Sequence, residues 1–246
     1  VSHYSIPMLN KNKTVLIDIG NSSTQFMYLT DLEEFNTTTI LTKDFTANFI
    51  EKEFVNSTCI VSCVVPAKQT LLSQLASSYF VSHQSKLTIN INIDRPTDLG
   101  ADRIVNAEAA YAIYKQPVLI IDSGTALTFC FVDGSGVYHG GAIFPGLKIS
   151  SQALNDYTAQ IPLIYVEPMN SLFGKTTEKA VQAGLFHGFK HLINGMIGQY
   201  KAQYPDIKVV GTGTGLVEFQ NDIHYDVFDE NLIFKGLKYI SQNNSV

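Results

Sequence analysis

The sequence predicts an α/β protein built from two similar lobes that face each other across a cleft. One observation is that short apolar, β-branched runs alternate along the chain with stretches that place apolar residues three and four positions apart. The other is an internal repeat, because TVLIDIGNSSTQFMY at residues 14–28 is followed about a hundred residues later by VLIIDSGTALTF at residues 118–129. A period of this length is too long for a solenoid and indicates two related lobes.

The elements follow from composition and periodicity in chain order. Strands are predicted where apolar, β-branched runs have strand length, at residues 15–19, 26–29, 59–65, 87–93, 118–121, 128–132 and 137–143. Helices are predicted where apolar side chains recur on one face, at residues 71–80, 101–114 and 177–204. Residues 1–13 are predicted to be a polar tail. Because Pro117 cannot continue the preceding helix, we predict a first lobe over residues 14–116 and a second over 117–246.

The composition argues against several classes of protein. The 246 residues are 45% hydrophobic and 16% charged, which is enough to bury an ordinary core. A net charge of −5 without a cluster of Lys and Arg argues against nucleic acid as a partner. There is no apolar run of about 20 residues and no secretory leader pattern, and three cysteines are too few for a disulfide framework. We therefore expect a cytoplasmic protein that does not bind membranes.

Both copies of the repeat end in an Asp-x-Gly turn that suits the binding of metal and phosphate. One constant offset pairs Asp18 with Asp122, Gly20 with Gly124, Asn21 with Thr125, and Thr24 with Thr128. A carboxylate at the end of a buried strand can bind a hydrated Mg²⁺, so Asp18 and Asp122 are predicted metal ligands. The following amides, and the side chains of Asn21, Ser22, Thr24, Thr125 and Thr128, are predicted to donate to phosphate oxygens. Each turn alone is better explained as a common hairpin turn, and only their pairing favours a phosphate site.

Eight short motifs follow one another over residues 15–240. They are IDIGNS (17–22), VSCVVP (61–66), PTDLGADRIVNAEAAY (96–111), DSGTALTF (122–129), YHGGAIFPGLKIS (138–150), GKTTEKAVQAG (174–184), VVGTG (209–213) and LIFKGLKYI (232–240). In this order and spacing they resemble the type III pantothenate kinases, bacterial enzymes of the sugar kinase, Hsp70 and actin superfamily. The resemblance implies two actin-like, ribonuclease H-like lobes with the active site between them.

The resemblance also implies a reaction and its catalytic groups. The γ-phosphoryl group of ATP would pass to pantothenate, giving 4′-phosphopantothenate in the first step towards coenzyme A. Asp102 would be the general base, Arg103 would bind the carboxylate of pantothenate, and Asp18 and Asp122 would be essential acids that act through Mg²⁺. From the residues alone, Asp102 is better explained as an acid that complements the dipole of a helix capped by Thr97 or Asp98, with Arg103 as its surface partner.

Further binding residues are implied in the same way. ATP and its phosphates would contact Gly20, Asn21, Ser22, Gly124, Thr125, Gly211 and Gly213. Pantothenate would contact Gly100, Arg103, Gly141, Ile143 and Thr177. Thr177 would reach pantothenate from the neighbouring subunit, which implies a homodimer, although by itself the position reads as a helix N-cap. YHGGAIFPGLK would lie along the pantothenate pocket and is equally compatible with a plain hairpin.

Two questions stay open at this point. Members of the family need K⁺ or NH₄⁺, and Cys130 stands where they usually carry an aspartate, so the cation site is altered unless Cys130 is simply a small buried apolar residue. The alternatives to the kinase are a degenerate regulator that keeps the fold and binds nucleotide, and another phosphotransferase of the superfamily. The presence of all three acids favours the enzyme.

Overall fold

The computed structural model describes residues 13–29, 37–219 and 221–246. The first sheet contains β1 (Lys13–Ile19), β2 (Ser23–Tyr28), β3 (Thr38–Leu41), β4 (Ser57–Cys63) and β5 (Ser77–Phe80). The second contains β6 (Asn90–Ile91), β7 (Val118–Ser123), β8 (Ala126–Val132), β9 (Val137–Pro145), β10 (Lys208–Thr212) and β11 (Val227–Phe228). The helices are α1 (Ala47–Phe54), α2 (Pro66–Leu75), α3 (Ala101–Tyr114), α4 (Leu147–Asp156), α5 (Thr177–Gln203) and α6 (Leu232–Asn244). The predicted α/β class is confirmed.

The two sheets share one strand order. The first runs β3-β2-β1-β4-β5, and the second runs β9-β8-β7-β10-β11 with β6 added beside β9. In each sheet the repeat forms an antiparallel hairpin, β1–β2 or β7–β8, whose first strand pairs in parallel with a later strand, β4 or β10. The repeat recognised in the sequence is therefore one part of a repeated sheet, and the prediction of two similar lobes is confirmed.

Helices cover both faces of each sheet. Between the sheets, α3 and α6 pack against Leu16 and Ile60 of the first sheet and against Ile120 and Val210 of the second. The outer face of the first sheet is covered by α1 and α2, and the outer face of the second by α5. The central strands are buried on both sides, which explains their nearly continuous apolar sequences.

The contact between α3 and α6 is unusually close. At Gly236 of α6, an added Cβ would overlap the carbonyl oxygen of Val105 on α3. Glycine is therefore required at this position so that the two helix backbones can approach each other. In the chain, α3 comes after the five strands of the first sheet and α6 after the last strand of the second, so the two sheets are joined through helices in similar positions.

Two sequence predictions need correction. The helix predicted over 71–80 is wrong at both ends, because Pro66 occupies its first turn and the helix stops where Ala76 N donates to Leu72 O. The following Ser77–Phe80 pairs with β4 as a strand. The strand predicted over 87–93 covers only Asn90–Ile91, because the backbone N–H groups of residues 88 and 89 donate to the buried Glu108 carboxylate instead of to a neighbouring strand.

The structure tests the predicted tail only in part and does not test the predicted lobe boundary. Residues 1–12 of the predicted tail lie outside the described residues, and Lys13 begins β1. The division of the chain at residue 117 stays a prediction. No helix in the described part of the chain combines the length and the apolar content needed to cross a membrane.

Candidate active site

A cleft of about 420 Å³ lies where the two hairpins face each other. Asp18 reaches it from the end of β1, Asp122 from β7, and Asp102 from the first turn of α3. The other predicted residues that line it are Gly20, Asn21, Ser22, Gly124, Thr125 and Gly213. The structure thus brings most of the predicted nucleotide-binding residues and all three predicted acids together.

The two turns touch directly across the cleft. The hydroxyl groups of Ser22 and Thr125 are 3.0 Å apart, which confirms that both copies of the repeat meet at one site. The amides of Gly20 and Gly124 donate to carbonyl groups within their own turns, so neither is left for a ligand. In the described part of the chain, the amides of Asn21, Ser22 and Thr125 donate no such bond and remain as donors for an anion.

The constant offset between the two copies fails in the second strand of each hairpin. Asp18 pairs with Gln25 across the first hairpin, whereas Asp122 pairs with Thr128 across the second, because the second loop is one residue shorter. Thr128 therefore corresponds to Gln25, and both line the cleft. Thr24 is fully buried and bonds the hydroxyl of Thr42 at 3.1 Å, so its predicted contact with phosphate is wrong.

In the cleft, burial and mutual repulsion disfavour the ionised forms of three neighbouring carboxyl groups. Burial, with a smaller contribution from the charges of Asp102 and Asp122, raises the pKa of Asp18 to about 7. Burial and the charge of Asp102 raise the pKa of Asp122 to about 7. Burial also raises the pKa of Asp102, although the backbone N–H of Arg103, at 2.8 Å from Asp102 Oδ1, opposes this. Water in the cleft reaches part of each carboxyl group, but protein encloses the remainder.

Among the described residues, no group of three or more Asp, Glu, His or Cys side chains is placed to hold a metal ion, so a magnesium site here would rest on two carboxylates. Carboxylate oxygens are the ligands that Mg²⁺ takes from proteins, and it keeps several waters, so few protein ligands are required. Like-charged groups gathered at one buried position are stabilised in their ionised forms when a cation is bound among them. Asp18 and Asp122 are the residues that would hold it, because each ends a central strand at the cleft.

The start of α3 fixes the position of Asp102. Gly100 is the N-cap residue, and an added Cβ there would lie 2.5 Å from Asp102 Oδ1, so glycine leaves room for the carboxylate. The predicted caps at residues 97 and 98 are wrong, because Pro96–Asp98 forms a separate 3₁₀ turn. The first turn of α3 therefore presents the Asp102 carboxylate to the cleft.

Asn106 is a site residue that the sequence reasoning missed. It lies one helical turn after Asp102 on the same face of α3, and its Nδ2 donates to Asp122 Oδ2 at 3.0 Å. The spacing of four residues was a usable signal, because positions i and i+4 share a helix face. Further residues that line the cleft without having been predicted are Ser23, Gln25, Thr37, Thr39, Val64, Thr212, Thr214, Val217, Glu230, Asn231 and Ile233.

Several predicted residues do not line the cleft, among them Gly100 and Arg103 at the start of α3. Gly211 is inside β10, where its backbone packs against Tyr225, and it does not line the cleft. Gly213 does line it, with a φ of +88°, and an added Cβ would lie 2.5 Å from Asp122 Oδ1. Ile143, on the face of β9 next to Thr128, has 61% of its surface exposed.

Two other predicted pantothenate-binding residues, Gly141 and Thr177, lie at a second cavity and at the start of α5. Gly141 lines a second cavity of about 340 Å³ on the outer side of the second sheet, together with His139, Tyr200 and Gln203. Thr177 begins α5 and is exposed, but the N-cap role belongs to the preceding residue, whose hydroxyl accepts from the amide of residue 179. No hydrogen bond of the Thr177 hydroxyl is formed within the described residues.

Cys130 lies buried in a strand, as one alternative from the sequence required, and its thiol also forms hydrogen bonds. It is buried in β8, and its sulfur accepts from Arg103 Nε at 3.2 Å and from the Tyr138 hydroxyl at 3.4 Å. A guanidinium group this close would repel a second cation, so these residues do not fit a K⁺ or NH₄⁺ site. Nor is Cys130 only a small apolar residue, because it serves as a hydrogen-bond acceptor.

Comparison with known proteins agrees with this geometry. A family model described as type III pantothenate kinase matches residues 14–199. The chain is 38% identical over 193 residues to the type III pantothenate kinase of Listeria monocytogenes serotype 4a (strain HCC23), which covers 75% of this chain and 74% of the relative. It is 37% identical over 198 residues to the type III pantothenate kinase of Caulobacter vibrioides (strain ATCC 19089 / CIP 103742 / CB 15), with 76% of each chain covered.

Two solved structures resemble the fold. A protein assigned to the Baf family of transcriptional activators from Campylobacter jejuni superposes with a TM-score of 0.66 at 23% identity, covering 94% of this chain and 98% of that one. A protein assigned as a 2-dehydro-3-deoxygalactonokinase from Sinorhizobium meliloti superposes with a TM-score of 0.57 at 11% identity, covering 93% and 96%. At these identities the two structures support the fold alone.

Proposed function

The chain belongs to the type III pantothenate kinase family, and we propose that it transfers the γ-phosphoryl group of ATP to pantothenate in the cleft between its two hairpins. The product is 4′-phosphopantothenate, in the first step towards coenzyme A. The observation that carries the proposal is the meeting of Asp18, Asp102 and Asp122 at one cleft whose two walls are matched turns. A regulator without catalysis would not need these three acids together.

Most of the residues of the cleft serve to bind the phosphates, whereas Asp102 accepts a proton. The amides of Asn21, Ser22 and Thr125, which donate no backbone hydrogen bond within the described residues, bind the phosphate oxygens together with nearby hydroxyl groups and hold the γ-phosphoryl group in place. Asp102 accepts the proton of the attacking hydroxyl at its carboxylate, and its raised pKa makes it a better base than an exposed aspartate. Most of the catalysis is positioning and charge stabilisation, because phosphoryl transfer leaves little covalent work for the protein.

We expect Mg²⁺ to be held by Asp18 and Asp122. When bound, the ion neutralises negative charge on the phosphates and on the two carboxylates. Asn106 keeps the Asp122 carboxylate oriented by its 3.0 Å hydrogen bond, so the ligand is in place before the ion arrives. The requirement for K⁺ or NH₄⁺ stays an expectation from the family, and the surroundings of Cys130 do not supply its site.

The exposed face of α5 supports a homodimer. Gly184, Gly188, Gly195 and Gly198 recur with His191 every three or four residues, and an added Cβ at any of these glycines would meet open space. The buried face of the helix lies on the opposite side. Each glycine within a helix costs about 1 kcal/mol relative to alanine, so four on one exposed face are best explained by a close helix partner.

Apolar residues beside this face add to the argument. Leu172 and Phe173, just before α5, have 73% and 70% of their surfaces exposed. Exposed apolar clusters of this kind mark protein interfaces. We therefore expect a second copy of the chain to cover the glycine face of α5 and the segment that leads into the helix.

Such a dimer would also place Thr177 of the partner subunit at the second cavity. At 27 residues, α5 is about 40 Å long, and its glycine face is centred near His191. Two copies packed antiparallel about that point would bring Thr177 of the partner subunit next to the C-terminal end of the helix. There Tyr200 and Gln203 line the second cavity together with Gly141. The exposed hydroxyl of Thr177 would then face the second cavity, while its contact with pantothenate stays an expectation of the resemblance.

The three cysteines are unpaired, which suits a reducing cytoplasm.

A coupled assay of ADP release tests the function. We expect release to depend on pantothenate and Mg²⁺, and we would run it with K⁺, NH₄⁺ and Na⁺ in turn. Replacing Asp102 with asparagine should lower kcat by about 10²–10⁴-fold while leaving the circular dichroism spectrum unchanged. The matched control is Asp98→Asn, which removes an exposed carboxylate paired with Arg95 and should keep full activity. If the protein shows no pantothenate-dependent turnover with any of the three cations, the proposal is wrong.

A further inference from the structure

We propose that Cys130 and Tyr138 are positioning residues that hold Arg103 in the orientation that binds the carboxylate of pantothenate. The inference rests on the proposed function, and it adds two residues that touch Arg103 rather than the substrate. Arg103 follows Asp102 in the first turn of α3, and its charge opposes the rise in the pKa of the Asp102 carboxyl group, so the two side chains interact. Its Nε donates to Cys130 Sγ at 3.2 Å, and the Tyr138 hydroxyl donates to the same sulfur at 3.4 Å.

The sulfur is a fixed acceptor. Cys130 is 2% exposed and Tyr138 is fully buried, so water does not compete for these bonds. Burial, the largest cause, raises the pKa of the Cys130 thiol, so the sulfur is neutral and attracts the guanidinium as a polar acceptor rather than as an anion. The two residues belong to β8 and β9, adjacent strands of the second sheet, which fixes the sulfur relative to α3.

This contact decides which nitrogen atoms of Arg103 are left for a ligand. Arg103 forms no ion pair with any carboxylate of the described residues. With Nε engaged by the sulfur, the two terminal nitrogens remain, and together they match both oxygens of a carboxylate in a bidentate pair. An uncharged amide offers only one oxygen to that pair and carries no charge. The contact should therefore favour the carboxylate of pantothenate over a neutral analogue.

The test compares pantothenate with its primary amide, in which CONH₂ replaces the carboxylate. In Cys130→Ala we expect KM for pantothenate to rise about tenfold, the loss typical of one hydrogen bond to a charged group. KM for the amide, KM for ATP and kcat should each change less than about twofold. Cys130→Ser keeps an acceptor and should restore the preference for the carboxylate. Tyr138→Phe should give a smaller change in the same direction, because the Arg103 contact survives.

Cys59→Ala is the matched control. It removes a thiol that is equally buried, but in β4 of the first sheet, and it should leave the preference unchanged. Equal losses on both substrates in Cys130→Ala, or no recovery in Cys130→Ser, would overturn the inference and reduce the sulfur to a packing role. If the unaltered protein binds pantothenate in calorimetry without turnover, the proposed function fails and the ratio of Kd values tests the inference instead. Absence of any binding overturns both.

Discussion

Replacing Asp122 with asparagine should make the metal-free protein more stable at pH 8 while abolishing activity. The substitution removes one charge from the buried carboxylate cluster and keeps the size of the side chain. Asn106 can still donate to the oxygen of the new amide, so the hydrogen bond seen at 3.0 Å need not be lost. The variant therefore isolates the cost of holding this negative charge beside Asp18 and Asp102.

The size of the effect follows from the pKa of Asp122. Its rise from 3.8 to about 7 corresponds to about 4 kcal/mol at 1.36 kcal/mol for each pH unit, which is an upper bound because cleft water reaches the carboxyl group. The folded state binds the proton more tightly than the unfolded chain does. Stability from this group is thus complete below pH 3.8, falls as the pH rises towards 7, and is gone above it. The asparagine variant lacks this loss, so its advantage grows with pH over the same interval.

Urea denaturation at pH 4 and pH 8, with chelator and then with Mg²⁺, measures the prediction. We expect similar free energies of unfolding at pH 4, a more stable variant at pH 8, and stabilisation by Mg²⁺ of the unaltered protein alone. Asp98→Asn serves as the control, since that carboxylate is exposed and should change stability by less than about 0.5 kcal/mol. A variant that is less stable than the unaltered protein at pH 8, or whose advantage does not change with pH, would refute the reasoning.

Three further substitutions test other parts of the structure. Gly213→Ala should lower kcat/KM for ATP, because the new methyl would displace the carboxylate of Asp122. It should also destabilise the fold by about 1–3 kcal/mol, because the φ of Gly213 is +88°. Steady-state kinetics and thermal melting measure the two effects. Gly236→Ala should destabilise by about 1–3 kcal/mol in urea denaturation, because the methyl would overlap the backbone of α3. Gly188→Trp should convert the proposed dimer to a monomer in light scattering after size exclusion.

Each substitution has a control of matched chemistry. Gly134→Ala adds a methyl that would make only ordinary contact with Pro117, so it should change neither activity nor stability appreciably. Gln74→Trp places the same large side chain on an exposed position of α2 and should leave the oligomeric state unchanged. Unaltered ATP kinetics in Gly213→Ala, full stability in Gly236→Ala, or an intact dimer in Gly188→Trp would each contradict the corresponding contact.

The sequence predicts well those parts of the fold whose signal is local. The repeated apolar run with its Asp-x-Gly turn identifies both hairpins, and the periodic runs identify α3 and α5, because burial on one or both faces leaves a clear pattern. The end of α2 and the strand Ser77–Phe80 could not be separated, since a short mixed segment suits either state and only pairing with β4 decides. The reach of Glu108 to the amides of residues 88 and 89 is likewise a long-range contact that no local pattern reveals.

The same distinction holds for the candidate site. Asp18 and Asp122 follow from the repeat, and Asp102 follows from the resemblance of its motif. The match of Thr24 with Thr128 failed because loop length, which sets hairpin register, differs by one residue between the copies. The bond from Arg103 to Cys130 joins α3 to β8 and depends on how the helix docks against the sheet, which residue spacing does not determine.

The packing of α3 against α6 has a consequence for how the cleft is built. Both helices begin at the cleft, one with Asp102 and the other beside Asn231, so the two ends of the cleft belong to a single packed unit. The hairpin turns, in contrast, meet at one exposed hydrogen bond between Ser22 and Thr125, worth about 1 kcal/mol. The cleft therefore has a packed base, formed by the starts of two helices, and a rim whose two turns are linked through exposed hydroxyl groups.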